Sequence, residues 1–181
     1  TNDGGYKLHN ANNTLKDFPK NTYIKIRDIA TDKEGNIWAG TTDGLIIMSY
    51  KDGKISHKVV EQHPDPKYRM QCNDVVSLGC HPDGTMWIGT NGGGLSHCLG
   101  KDENGHYMFD NIGCKDGLPS EEIKGLAFDQ DGNIWLSTYH TICSVEPQKR
   151  IVTIYSYEDG VDDTMFSEDA AVVLPDGNIL F

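Results

Sequence analysis

Very little of this chain is positively charged. Sixteen Lys and Arg stand against 27 Asp and Glu, a net charge of −11. Nucleic-acid binding and attraction to an anionic bilayer both need clustered Lys and Arg, so neither partner is expected. Acidity of this kind serves solubility. Long apolar runs are missing too. No stretch reaches the roughly 18 residues of a membrane-spanning helix, so this piece is expected to make no direct membrane contact. Thr1-Asn2-Asp3-Gly4-Gly5 has neither the basic nor the apolar region of a signal peptide. A start at Thr1 rather than Met leads us to expect an upstream portion.

Paired cysteines are absent. Cys72, Cys80, Cys98, Cys114 and Cys143 are odd in number and widely spaced, with no Cys-x-x-Cys. Neither a zinc site nor a disulfide framework is signalled. Cys80, Cys98 and Cys143 fall in predicted strands and read as small buried hydrophobes. The seven histidines include no His-x-His and no His-Glu-x-x-His, and no Gly-x-Ser-x-Gly occurs. No metal, cofactor or catalytic residue is therefore assigned. Helical periodicity is missing as well.

What is present is a repeat. Asp32-Lys33-Glu34-Gly35-Asn36-Ile37-Trp38-Ala39-Gly40-Thr41 returns as His81-Pro82-Asp83-Gly84-Thr85-Met86-Trp87-Ile88-Gly89-Thr90. It returns again as Asp129-Gln130-Asp131-Gly132-Asn133-Ile134-Trp135-Leu136-Ser137-Thr138, and then as Leu174-Pro175-Asp176-Gly177-Asn178-Ile179-Leu180-Phe181. The repeat residues Gly35, Gly84, Gly132 and Gly177 recur with a period between forty-five and fifty residues, the mark of stacked supersecondary units. In the second copy Val75, Leu78 and Cys80 are the apolar positions of a first strand. Pro82-Asp83-Gly84 is a tight turn, and Thr85 to Thr90 is a second strand carrying Trp87. Asn91 to Gly94 turns again, Leu95 to Leu99 is a third strand, and His106 to Ile112 a fourth. Such a meander cannot bury both faces alone. Repeated around an axis it can, with Trp38, Trp87 and Trp135 packed between units.

The expected fold is all-β, a β-propeller of four-stranded antiparallel blades. The phase gives blades at 24–68, 69–117 and 118–160, a half blade and linker at 1–23, and a half blade at 161–181. That is about four blades' worth, three complete plus two halves. Thr1-Asn2-Asp3-Gly4-Gly5-Tyr6 aligns with Thr90 to Leu95, and Phe181 with Ile88. Three arrangements stay open: a closed four-bladed ring, an eight-bladed exchange between two chains, and an open piece of a larger propeller.

The Asp-x-x-Gly-Asn-Ile-Trp-x-Gly-Thr-x-x-Gly-Leu pattern of Asp32 to Leu45 resembles the two-component regulator propeller repeat, over essentially the whole chain. Asp116 to Ser120 is similar to that family's linker between blades. Phe166 to Ala171 followed by Asp176 to Phe181 resembles its final blade. The resemblance implies a periplasmic sensor region of a Bacteroidetes hybrid two-component system, in which two seven-bladed propellers precede a β-sandwich, a membrane helix, a histidine kinase and a response regulator. By resemblance the whole protein is a histidine kinase that senses glycan fragments through dimer rearrangement. It has no kinase His box, receiver aspartate or ATP-binding glycine motif, so any signalling chemistry is expected outside this piece, which is expected not to be an enzyme. Ser137, Tyr139-His140-Thr141-Ile142 and Leu180 depart from the pattern.

In a meander the Asp-Gly turns share one end of the blades. The other end carries the varied loops: Thr42 to Gly44, Asn91 to Gly94, Tyr139 to Thr141, and the linkers 64–74, 116–122 and 160–169. Binding residues concentrate on such loops. Tyr68, Arg69, Asn73, Asn91, Glu121, Tyr139 and His140 are the ligand-binding candidates there. Rings with amides and carboxylates suit an oligosaccharide, and a plain polar surface is the simpler reading of each. Expected partners are an oligosaccharide and a second copy of the chain, as a homodimer or a blade-exchanged oligomer. Asp129-x-Asp131-Gly132-Asn133 is similar to a calcium loop, but Ile134 and His140 stand where that loop needs Gly and Glu, so a turn is expected. A sialidase-type clamp of three arginines is disfavoured, because Arg150 lies at the opposite end from Arg69. A propeller lyase or hydrolase, and a purely structural dimerisation propeller, are the alternative functions.

Overall fold

The computed structural model describes residues 25–60, 62–162 and 165–181. The half blade expected at 1–23 lies outside them. Blade I is β1 (Ile26–Thr31), β2 (Ile37–Thr41), β3 (Gly44–Lys51) and β4 (Lys54–Val60). Blade II is β5 (Val75–Cys80), β6 (Met86–Thr90), β7 (Leu95–Lys101) and β8 (Tyr107–Ile112). Blade III is β9 (Gly125–Phe128), β10 (Ile134–Ser137), β11 (Ile142–Glu146) and β12 (Ile151–Tyr155). β13 (Val172–Val173) and β14 (Ile179–Leu180) form a two-stranded half blade. Every pairing is antiparallel and follows chain order, so each blade is a meander. The first strands β1, β5, β9 and β13 approach one another from blade to blade. They form the inner edge of a β-propeller.

The repeated motif builds the turns of blades I and III by the same local chemistry. Gly35 takes φ +80, which a side chain resists, and its N–H donates to the Asp32 carbonyl at 3.0 Å. The Asp32 carboxylate accepts from Asn36 N, Asn36 Nδ2 and Trp38 Nε1, each at 2.8 Å. Asp129 does the same for Asn133 and Trp135, and also accepts from Asp131 N at 3.0 Å. Burial opposes the charge on these carboxylates, but the hydrogen bonds outweigh it and hold both below the usual range. The Asp129 segment is thus a turn whose carboxylate is already engaged. Blade II differs: His81 replaces the Asp, and Trp87 Nε1 donates to Thr85 Oγ1 at 3.1 Å and stacks on His97. His81 Nε2 lies 2.9 Å from the Gly132 carbonyl, stitching the blade II turn to that of blade III. Lys33 Nζ likewise donates to the Pro82 carbonyl at 2.8 Å.

Two interblade cores follow. Trp38, Leu45, Ile47 and Val60 of blade I pack with Leu78, Met86, Ile88, Tyr107 and Phe109 of blade II. Trp87, Leu95 and Ile112 of blade II pack with Ile123, Leu126, Ile134, Leu136 and Val145 of blade III. Cys98 and Cys143 lie within these cores, and burial pushes their thiols up to about 11 and about 12. Cys80 is half-buried at the rim of the first core. All three behave as packing residues.

Close approach of the blades depends on one glycine in each first-to-second strand pair. A Cβ on Gly40 would sit 2.5 Å from Val75 Cγ1 of the next blade, and one on Gly89 2.8 Å from Ile123 Cγ2. In blade III the second-strand glycine is replaced by Ser137, and its register partner is Gly125. The glycine has moved across the pair, with the half blade's Ala171 3.1 Å from a Cβ built there. The departure seen in the sequence is therefore a compensated one. Gly40→Ala is expected to lower unfolding stability by about 1–3 kcal/mol through overpacking. A denaturant melt with an unchanged midpoint would show that the seam can open without cost.

Candidate functional site

At the end of the blades opposite the Asp-Gly turns, the starts of the first strands converge. Arg27 sits in an irregularity of β1, where the register with β2 shifts between Ile26 and Asp28. Such bulges re-aim a side chain. The Arg27 guanidinium pairs with Asp74 at 3.1 Å, just before β5, and with Glu168, ahead of β13. Asn91 Nδ2 donates to Asp74 Oδ2 at 3.0 Å, and Asn91 N to the Asp74 carbonyl at 2.8 Å. Lys124, only 6% exposed, holds its Nζ 3.8 Å from Glu122 and 3.9 Å from Glu168. That ammonium also lies 5.3 Å from the centre of the Tyr139 ring, whose other neighbour is His140 at 5.2 Å. Tyr139 remains 45% exposed.

The result is an axial mouth lined by charges of alternating sign, each from a different repeat. Arg27 comes from blade I, Asp74 and Asn91 from blade II, Lys124 and Tyr139 from blade III, and Glu168 from the half blade. A cation as buried as Lys124 is held by its carboxylates and by the ring face above it. Arg27 Nε is buried without a hydrogen-bond partner among the described residues, and Ser77 Oγ and Ser137 Oγ are likewise unpartnered. The mouth thus offers exposed ring surface beside donors and acceptors, with no nucleophile paired with a base among the described residues.

The expected binding residues divide. Asn91, Tyr139 and His140 meet at this mouth. Asn73 lies beside it; its carbonyl accepts from Gly44 N at 2.7 Å and its Oδ1 from Gln62 Nε2 at 3.3 Å. Glu121 is a staple: its carbonyl accepts from Gly92 N and Gly94 N, and its carboxylate from Cys114 N at 2.9 Å. Arg69 ties down its own linker through the His63 carbonyl at 3.2 Å. Tyr68 is not brought to the mouth. Its hydroxyl reaches the Asp102 carboxylate beside the β7–β8 turn, and its ring packs on His63 and His106. Arg27, Asp74, Lys124 and Glu168 were not singled out from the sequence as binding residues. The signal for them was a charged residue at the start of each first strand, which reads as ordinary polarity until the strands are placed side by side.

Below the mouth, Asp28 accepts from Ile29 N and Leu78 N, and burial raises its carboxyl. Asp169 is pushed up to about 6, first by burial and then by the Asp28 charge. A carboxyl raised in the folded state takes up a proton on folding. It therefore destabilises above pH 6, and that effect fades as pH falls toward the ordinary Asp range. Asp169→Asn, at a φ of +55 that Asn tolerates, is expected to raise the melting midpoint at pH 7.5 and leave it unchanged at pH 3.5. An equal shift at both pH values would remove charge as the cause.

Comparison with known proteins places this geometry. The family model described as two component regulator propeller matches residues 20–43, 70–92 and 117–140. Each match runs through the first strand, the Asp-Gly turn and the second strand to the loop beyond. No curated protein matches the chain. Among solved structures, an extracellular domain assigned to a hybrid two component system of B. thetaiotaomicron is 21% identical, covering 92% of this chain and 27% of that one, with a TM-score of 0.46. Virginiamycin B lyase from Staphylococcus aureus is 15% identical, covering 85% and 47%, with a TM-score of 0.54. PorZ, a surface component of the type-IX secretion system of Porphyromonas gingivalis, is 17% identical, covering 85% and 22%, with a TM-score of 0.55. The chain spans less than half the length of each, and at these identities the likeness is one of fold. With one match on each of its three full blades, this β-propeller chain carries three segments that match the two component regulator propeller model.

Proposed function

We propose that this chain is part of the extracytoplasmic recognition region of a hybrid two-component system, and that its axial mouth binds glycan fragments. The observation that carries this reading is Tyr139, an exposed ring with a buried ammonium beneath it and the carboxylates of neighbouring repeats around it. Sugar C–H faces stack on such a ring, while hydroxyls exchange hydrogen bonds with paired acids, amides and cations. The ion pairs at the mouth also join four repeats. A sugar that competes for Arg27 or Lys124 changes the spacing of the first strands, and it shifts the signalling state only as far as it binds one spacing better. In this reading the chain itself is not an enzyme, and the response passes through the geometry of a dimer to a kinase elsewhere in the protein.

A lyase is the second reading. It needs a convergent acid and base near the axis, and Asp28 with Asp169 is the pair of carboxylates that favours it. Calorimetry against a panel of neutral oligosaccharides tests both readings. Tyr139→Ala should weaken binding at least tenfold, while Tyr50→Ala, at an exposed site on blade I, should leave it unchanged. A folded protein that binds no member of the panel would sink the sensor reading in favour of a structural propeller. Appearance of a cleaved product would overturn the non-enzymatic one.

A further inference from the structure

A second cavity lies away from the mouth, on the outer flank where blade I meets blade II. It encloses about 330 Å³ and is lined by Lys58, Val59, Val60, Gln62, His63, Tyr68, His106 and Tyr107. That volume suits a single ring-sized ligand. Three rings make one wall: His63 lies 5.1 Å from Tyr68, and His106 lies 5.5 Å from Tyr68 and 6.3 Å from His63.

The polar groups facing this space are mostly donors. His63 Nδ1 accepts from Asp65 N at 3.1 Å, which leaves Nε2 as its protonated nitrogen. Lys58 donates to the Gly105 carbonyl and stands 5.4 Å from the Tyr107 ring centre. Lys101 stands 4.8 Å from the same ring, and Lys67 5.4 Å from that of Tyr68. Of the nearby acids, Asp102 is engaged by the Tyr68 hydroxyl and by the backbone N–H groups of His106 and Asn104 and lies 3.7 Å from His106 Nδ1, while Asp65 accepts from Lys67 N at 3.0 Å. In a chain of net charge −11, Lys58 is the ammonium that lines this cavity, with Lys67 against the Tyr68 ring at its edge and Lys101 on the Tyr107 ring from the neighbouring cleft.

We propose that this flank cavity is a second binding site, for a sugar ring that carries an anionic group, of which a uronate is the simplest case. The ring would stack on Tyr68, and the carboxylate would meet Lys58 and the His63 Nε2–H donor. The inference rests on the reading of the chain as a saccharide-recognition module, but it uses none of the mouth residues. It also gives Tyr68 a role at the place where the structure puts it.

The test is an NMR titration of the protein with D-glucuronate, D-glucose and acetate, which separates ring from charge. Glucuronate should bind at least tenfold more tightly than glucose, and acetate should not reproduce it. Lys58→Met should reduce glucuronate to the level of glucose, and Tyr68→Ala should abolish both. Lys58 is solvent-exposed, so its variant keeps the test valid if Tyr68→Ala fails to fold. Tyr139→Ala should leave glucuronate binding intact. No glucuronate binding by the folded protein, or binding that survives Lys58→Met, overturns the proposal, as does loss of binding in Tyr139→Ala. If neutral oligosaccharides bind at the mouth and glucuronate does not bind, this site falls while the proposed function stands. The reverse pattern leaves the flank site and removes the mouth.

Discussion

The structure depends on how closely the second strand of one blade can approach the first strand of the next. At Gly40 and Gly89 there is no room for even a methyl group, because Val75 and Ile123 occupy it. This contact draws the first strands together along the inner edge. Only then do residues that are far apart in sequence, Arg27, Asp74, Lys124 and Glu168, become neighbours. The apolar seam and the charged mouth are two ends of one constraint. Interiors are close-packed, so a small change at the seam moves the mouth.

The blades themselves were legible in the chain. A glycine turn, a buried Trp and alternating apolar strands repeat with nearly constant spacing, and backbone chemistry fixes what each must do. The departures were legible only as departures. Ser137 looked like a lost glycine, because the strand register that sets Gly125 against it is not written in the spacing. His81 looked like a lost Asp, although it bridges to Gly132 while Thr85 takes over the indole N–H. The loop residues were harder still. Tyr68 lies in a linker expected at the mouth, yet its side chain runs to the flank, because the direction of a long side chain in an irregular segment depends on packing. Tyr139 and Asn91 lie in four-residue connections between paired strands, at the end of the blades opposite the glycine turns.

The two polar regions differ in kind. At the mouth, charges of both signs hold one another, so a ligand must compete with interactions already made. On the flank, cations rest against aromatic faces. The first arrangement links recognition to the position of several blades. The second is local to one linker and two strands, and that linker leads directly to Asn73 and Asp74. The segment 62–74 is therefore the physical connection between the two regions.

The glycine that changes strands in blade III also restricts how such a repeat can diverge. A residue with a side chain on both members of the pair would overfill the seam, as the tight approach of Ser77 Oγ to Gly89 and of Ser137 Oγ to Gly125 indicates. A side chain on one strand is thus accommodated where its register partner is glycine, as Ser77 opposite Gly89 and Ser137 opposite Gly125 show. Repeats that look degenerate by sequence can therefore be equivalent in packing.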